Sequence, residues 1–188
     1  NLLITHQRIA RFATGFLIVK LAIFDKDGTL VRPASGGKFV QNPEDQMLLP
    51  GVAQGITEMV TDGWTIAIAS NQGGVVAGYK SLNEAIEEMR FAMKLIWPLL
   101  NWPENLRFRG ILCPDSGKTA WAIDAFCSQG NWKQYEVTEP IDSIPRQFRK
   151  PDAGMIFEAI NSLRFSGENP DSVLFIGDRP EDEQAAAN

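Results

Sequence analysis

From Lys20 onward, short apolar runs alternate with segments whose apolar positions recur every three or four residues. The first pattern is that of a strand buried on both faces and the second that of an amphipathic helix, so the alternation predicts a parallel sheet flanked by helices. Lys20 to Phe24 is expected as the first core strand. Val52 to Thr61 follows as a helix with Val52, Ile56, Met59 and Val60 on one side, closed by Asp62-Gly63. Trp64 to Ala69 reads as the next strand. Ser81-Leu82-Asn83-Glu84 has the spacing of a capping box, and behind it Ala85, Ile86, Met89, Met93 and Ile96 keep helical intervals until Pro98. Those methionines are core filling. A strand at Arg107 to Leu112, a helix at Ala153 to Leu163 and a buried strand at Ser172 to Ile176, ending at Gly177-Asp178, complete the rhythm. Pro114 to Phe148 is Gly-rich, aromatic and poorly periodic, which predicts an irregular insertion or partial lid over 114–149.

With 188 residues, 44% of them hydrophobic, the chain has the size and core content of one domain. Its net charge of -5 disfavours a broad nucleic-acid-binding face, because such binding is largely phosphate neutralisation. Cys113 and Cys127 read as reduced cytosolic thiols rather than a disulfide framework. Lys20 and Asp25 interrupt the best candidate for a membrane span, Phe12 to Phe24, so a soluble, cytoplasmic protein without membrane contact is expected. Before Asp25 there is no acidic residue while Arg8, Arg11 and Lys20 are basic, a bias shared with organellar presequences and leaders. The plainer reading, an N-terminal arm or extension over residues 1–18, is preferred, with the folded domain spanning 19–188.

In open α/β sheets, residues just past the carboxyl ends of separate strands converge. Three such ends carry polar groups here: Asp25 and Asp27 after the first strand, Ser70-Asn71-Gln72-Gly73-Gly74 after the second, and Asp178 after the last. Lys150 precedes the helix at Pro151. Taken singly, Asp-x-Asp-Gly is an ordinary turn, Ser70 a capping hydroxyl, Lys150 a solvated charge and Asp178 a helix cap. Four separate turns do not account for all of them in this order. Two carboxylates two positions apart supply what a covalent phosphoryl-aspartate needs, one to attack and one to move a proton.

The set resembles the haloacid dehalogenase superfamily of phosphohydrolases, with motifs matched by Asp25-Lys26-Asp27-Gly28-Thr29, by Ser70, by Lys150 and by Gly177-Asp178-Arg179-Pro180-Glu181-Asp182. Ser70 to Gly74 and Arg149-Lys150-Pro151 with Gly154-Met155 are similar to the branch holding histidinol-phosphate and heptose-bisphosphate phosphatases and the 3'-phosphatase domain of polynucleotide kinase. The resemblance implies a Rossmann-like, three-layer α/β/α fold with a mainly parallel sheet. It implies Asp25 as nucleophile, Asp27 as the group that protonates the leaving oxygen and then activates water, and Ser70 and Lys150 as partners of the phosphoryl oxygens. Main-chain amides at Lys26, Asp27 and Asn71 would assist, and Arg149 would face the substrate. Because phosphate beside carboxylates is electrostatically hostile, a divalent cation is implied, and Mg²⁺ suits an oxygen-only site. Its ligands would be the carboxylates of Asp25 and Asp178 and the carbonyl of Asp27, with Asp182 in an outer shell. Halide leaves without a proton, so Asp27 argues for an ester oxygen as leaving group.

Only about forty residues separate Asp25 from Ser70, too few for a large cap domain, so an open site is expected. Members of the heptose and histidinol branch can carry a zinc in the stretch corresponding to 114–149, but Cys113 and Cys127, even with Asp115, do not make a closed tetrahedral site, and His6 is remote. Zinc is not expected. Arg146, Arg149 and Lys150, with Trp121, Trp132 and Tyr135, would suit a nucleic-acid end, but a charged approach to a catalytic lysine and ring anchors for an insertion are the preferred readings. A small phosphorylated metabolite is therefore the expected substrate, with an end-processing 3'-phosphatase and a non-catalytic binding module as alternatives. The chain stops at Asn188, where the resembling family continues through a further strand and helix, so a truncated C-terminus is expected.

Overall fold

The computed structural model describes residues 3–7, 19–100, 108–126, 131–138, 147–164 and 169–188. A seven-stranded sheet runs in the order β1-β9-β2-β5-β6-β7-β8. Its centre is β9 (Ser172–Gly177), β2 (Lys20–Phe24), β5 (Trp64–Asn71) and β6 (Phe108–Cys113), all parallel. Antiparallel strands close both edges: β1 (Leu3–Gln7) beside β9, and the pair β7 (Ala120–Phe126) and β8 (Asn131–Val137) beside β6. The fold is α/β and mainly parallel, as expected.

Strand periodicity builds two cores. Alternate residues of a strand face opposite sides, so Ala22 and Phe24, with Ile66 and Ile68, meet α1 (Val52–Thr61) and α3 (Leu82–Ile96), where Ile56, Met89, Met93 and Ile96 are buried; the short α2 (Gly73–Val76) precedes α3 in the chain. Leu21 and Ile23, with Ala67, Ala69 and Ile111, face the other way onto Met155, Ala159 and Leu163 of α4 (Gly154–Arg164) and Ala185 of α5 (Pro180–Ala187). Three layers result, with helices on both faces. The capping box at the start of α3 is formed: Glu84 N donates to Ser81 Oγ at 3.2 Å, and Ser81 N to Glu84 Oε2 at 2.6 Å. Between Asp25 and the end of β5 lie only the short ribbon of β3 (Val31–Arg32) and β4 (Met47–Leu48) and helix α1, so no large cap stands there.

Two expectations are corrected. Residues 3–7, assigned with the arm 1–18, form the edge strand β1, in register with β9 from Leu3–Gly177 to Gln7–Val173. The stretch 114–149 is not wholly irregular, because β7 and β8 extend the sheet as a hairpin. Its alternation was hidden by alanines and by Asp124, a buried carboxylate on an inward-facing position. Asp124 is opposite Arg109 in register and takes its guanidinium through two bonds, 2.6 and 3.0 Å long. Cys127 and Arg146 lie outside the described residues. No helix among the described residues is long and apolar enough to cross a membrane.

Candidate active site

Asp25 follows β2 directly, and its amide continues the sheet by donating to Ile176 O at 2.8 Å. The chain then turns sharply. Gly28, at φ 89°, gives its amide to Val31 O, while the amides of Leu30 and Val31 both donate to Lys26 O. Glycine is required at 28 twice over: the left-handed backbone disfavours a side chain, and a Cβ would stand 2.5 Å from Asp178 Oδ2. That close approach brings the end of β9 against the first motif, with Thr29 Oγ1 donating to Asp178 Oδ1 at 3.5 Å.

Lys150 joins these pieces. Its buried ammonium lies 2.5 Å from Asp25 Oδ1 and 2.6 Å from Asp182 Oδ1, and donates to Ala69 O at 3.1 Å. Asn71 fixes the lysine's backbone from both sides, its Nδ2 donating to Lys150 O at 2.9 Å and its Oδ1 accepting from Lys150 N at 3.0 Å. Asp182 is set by the start of α5, where its Oδ2 accepts from Arg179 N at 3.1 Å. Gly177 leaves room for it, since a Cβ there would meet the Asp182 side chain at 2.4 Å.

Asp27 is held at both oxygens. Lys26 Nζ donates to Oδ1 at 2.7 Å, while Gln72 Nε2 at 3.0 Å and Ser70 Oγ at 3.5 Å donate to Oδ2. Gln72 Nε2 also donates to Ser70 Oγ at 2.8 Å. Burial pushes the Asp27 carboxyl up, but the Lys26 ammonium and its hydrogen bond, with Gln72 added, bring the balance below the usual carboxylate range. Asp25 goes the other way. Burial, joined by the like charges of Asp182 and Asp27 and opposed by Lys150, pushes its carboxyl up to about 6.

Oxygens of Asp25, Asp178 and Asp182 lie within 4.8 Å of one another. With one ammonium among three carboxylates, the group is short of positive charge, and its oxygen-only donors fit a hard divalent cation. Asp115, which takes the Cys113 thiol at 3.6 Å, is committed to a turn, its carboxylate accepting from the amides of Gly117, Lys118 and Thr119.

The sequence-selected Asp25, Asp27, Ser70, Asn71, Lys150, Asp178 and Asp182 are thus brought to one end of the sheet. Two others are placed otherwise than expected. The Lys26 side chain is 0% exposed and lies on the α3 side of the core, so its ammonium meets Asp27 Oδ1 from behind and only its main chain is left in the loop. Arg149 lies against Gly73, and its Nη1 donates to Asp115 O at 3.3 Å, at the rim. Sequence reasoning gave no role to Gln72, Gln46 or Glu88. Glu88 was detectable, because it occupies the apolar stripe of α3 between Ala85 and Ala92.

Residues 20–187 match the family described as polynucleotide kinase 3 phosphatase. The chain belongs to that family. It is also 26% identical over 168 residues to the D-glycero-beta-D-manno-heptose-1,7-bisphosphate 7-phosphatase of Pseudomonas putida, covering 89% of this chain and 77% of that protein. The corresponding enzyme of Thermosynechococcus vestitus is 36% identical over 114 residues, 53% of this chain and 55% of its own. Among solved structures, the D,D-heptose 1.7-bisphosphate phosphatase of B. bronchiseptica, complexed with magnesium and phosphate, superposes with a TM-score of 0.54 at 22% identity, covering 90% of this chain and 75% of that one. The family and these likenesses make this chain a phosphatase of the haloacid dehalogenase superfamily.

Proposed function

We propose that the chain hydrolyses phosphate monoesters by way of an aspartyl-phosphate on Asp25, with Mg²⁺ held by Asp25, Asp178 and the carbonyl of Asp27. The observation that carries this reading is the contact of Lys150 with Asp25 beside the Ser70–Gln72–Asp27 group. An Asp25 oxygen attacks phosphorus as the ester P–O bond breaks, and the leaving oxygen takes a proton from Asp27. Lys26 and Gln72 hold the Asp27 carboxyl below the usual carboxylate range; the like charge of an entering phosphate raises its proton affinity, so it takes up the proton it then delivers. Once ionised again, it removes a proton from the water that attacks the aspartyl-phosphate. Ser70 Oγ and the Lys150 ammonium face the phosphoryl oxygens, where charge accumulates in the transition state. A divalent cation bound there would offset repulsion between the phosphate and the carboxylates.

A small phosphorylated metabolite is the substrate class we favour, supported by the heptose-bisphosphate relatives and by the net charge of -5. A nucleic-acid 3' end is a second reading, favoured by the family description. Phosphate release from an aryl phosphate with and without Mg²⁺ tests the reaction. Competition between heptose 1,7-bisphosphate and a 3'-phosphorylated oligonucleotide tests the class. Preference for the sugar is expected, preference for the oligonucleotide would select the second reading, and no turnover on any ester would contradict both.

A further inference from the structure

The Asp27 side chain is anchored from behind by a buried chain of charges that reaches helix α3. Lys26 is completely buried, so its ammonium must find its partners within the protein. It finds Asp27 Oδ1 at 2.7 Å, Gln46 Oε1 at 3.3 Å and Glu88 Oε2 at 3.8 Å. Glu88, in the second turn of α3, is itself buried and is fixed by the half-buried Lys80, whose Nζ lies 2.7 Å from Oε1 and 2.6 Å from Oε2. Gln46 is tied to the same helix, its Nε2 donating to Glu88 O at 3.0 Å. Two ammonium groups and two carboxylates balance within this chain. Its Asp27 end opens toward solvent, with 42% of the side chain exposed, and its Lys80 end less so, at 21%, while Lys26 and Glu88 between them are buried.

We propose that Glu88 is a positioning residue for the reaction: by anchoring the Lys26 ammonium it keeps Lys26 on Oδ1 of Asp27, leaving Oδ2 turned to Ser70 as the oxygen that exchanges the proton. This rests on the phosphomonoesterase reading above. In the step concerned, the proton leaves Asp27 Oδ2 for the ester oxygen while the P–O bond breaks and the bond from phosphorus to Asp25 forms. With Glu88 neutralised, Lys26 loses one of its two counter-charges, Asp27 is drawn inward to serve it, and Oδ2 leaves its place beside Ser70.

The test compares kcat/KM for esters whose leaving groups do and do not need a proton. An alkyl phosphate needs one; 4-nitrophenyl phosphate, with an acidic phenol, scarcely does. Glu88→Gln is expected to lose about ten-fold or more on the alkyl ester, a fraction of the full general-acid contribution, and at most about three-fold on the nitrophenyl ester. Glu88→Asp, which keeps the charge, is expected to recover part of the alkyl activity. Lys80→Met, which loosens Glu88 from outside the buried pair, is expected to move in the same direction by less, and it carries the comparison if Glu88→Gln does not fold. Equal losses on both esters, or none, in folded variants would overturn the proposal. Failure of the reaction reading is distinguished by the wild-type protein, which would then release no phosphate from either ester, and that result overturns the proposal as well.

Discussion

The ammonium of Lys150 lies 2.5 Å from Oδ1 of Asp25, two residues 125 positions apart in the chain. The same ammonium is shared with Asp182 at 2.6 Å, so one cation holds the end of β2 to the start of α5. Lys150→Met would leave both buried carboxylates without that partner. Breaking a buried pair in this way costs roughly 3–5 kcal/mol. The variant is expected to unfold at clearly lower urea concentration than wild type and to lose phosphatase activity even where folded, and urea titration with parallel phosphate-release assays checks both.

Asn71 acts on the lysine's backbone rather than on its charge. Its amide closes two hydrogen bonds on Lys150, at 2.9 and 3.0 Å. Asn71→Ala removes both, and a loss of roughly 1–3 kcal/mol is expected from the unpaired groups left behind. Because Lys150 is then less well placed, kcat should fall more than KM rises, which steady-state kinetics would show.

Two glycines should respond oppositely to alanine. At Gly154 a Cβ would stand 2.4 Å from Gln147 O and 2.9 Å from Phe148 Cα, both main-chain atoms of the loop that carries Lys150. Gly154→Ala is expected to destabilise by about 1–3 kcal/mol and to lower activity. Gly55, inside α1, has nothing within 4 Å of such a Cβ. Gly55→Ala should stabilise by about 0.5–1 kcal/mol without touching activity, as helix propensity dictates. Thermal melts of the two variants provide the comparison.

Acid should weaken the protein through two carboxylates outside the acidic cluster. The Ser35 amide, 2.6 Å from Asp45 Oδ1, together with the Gln41 amide and the Ser35 hydroxyl, holds the Asp45 carboxyl below its ordinary value of 3.8. The Ser81 amide and hydroxyl do the same for Glu84, whose ordinary value is 4.5. A carboxyl lowered on folding contributes stability that is fully present above its unfolded value and is lost as pH falls through its folded value. Stability should therefore decline as pH drops below about 4, and Asp45→Asn and Glu84→Gln should each flatten that decline while lowering stability at neutral pH. Urea midpoints across the pH range measure it; an unchanged acid slope in both variants would contradict the assignment.

The central strands and helices were legible because each is buried by one regular period. Lys20–Phe24 shows a strand buried on both faces, and the Ser81–Glu84 box fixes where α3 starts. The β7–β8 hairpin was not legible, since its pattern depends on Arg109 neutralising Asp124 from another strand. Edge strand β1 was obscured for a related reason: its pairing with β9 depends on a partner at the far end of the chain. At the site, residue types and order pointed to Asp25, Ser70, Lys150 and Asp178, while the placement of the Lys26 side chain required knowing that Glu88 of α3 faces it.

The most direct test of the account is rapid quench of the protein during turnover of a phosphate ester with Mg²⁺, followed by peptide mass spectrometry to locate any phosphoryl group. The account predicts an acyl-phosphate on the peptide carrying Asp25, absent in Asp25→Asn together with turnover. A phosphoryl group on another residue, or undiminished turnover by Asp25→Asn, would contradict it.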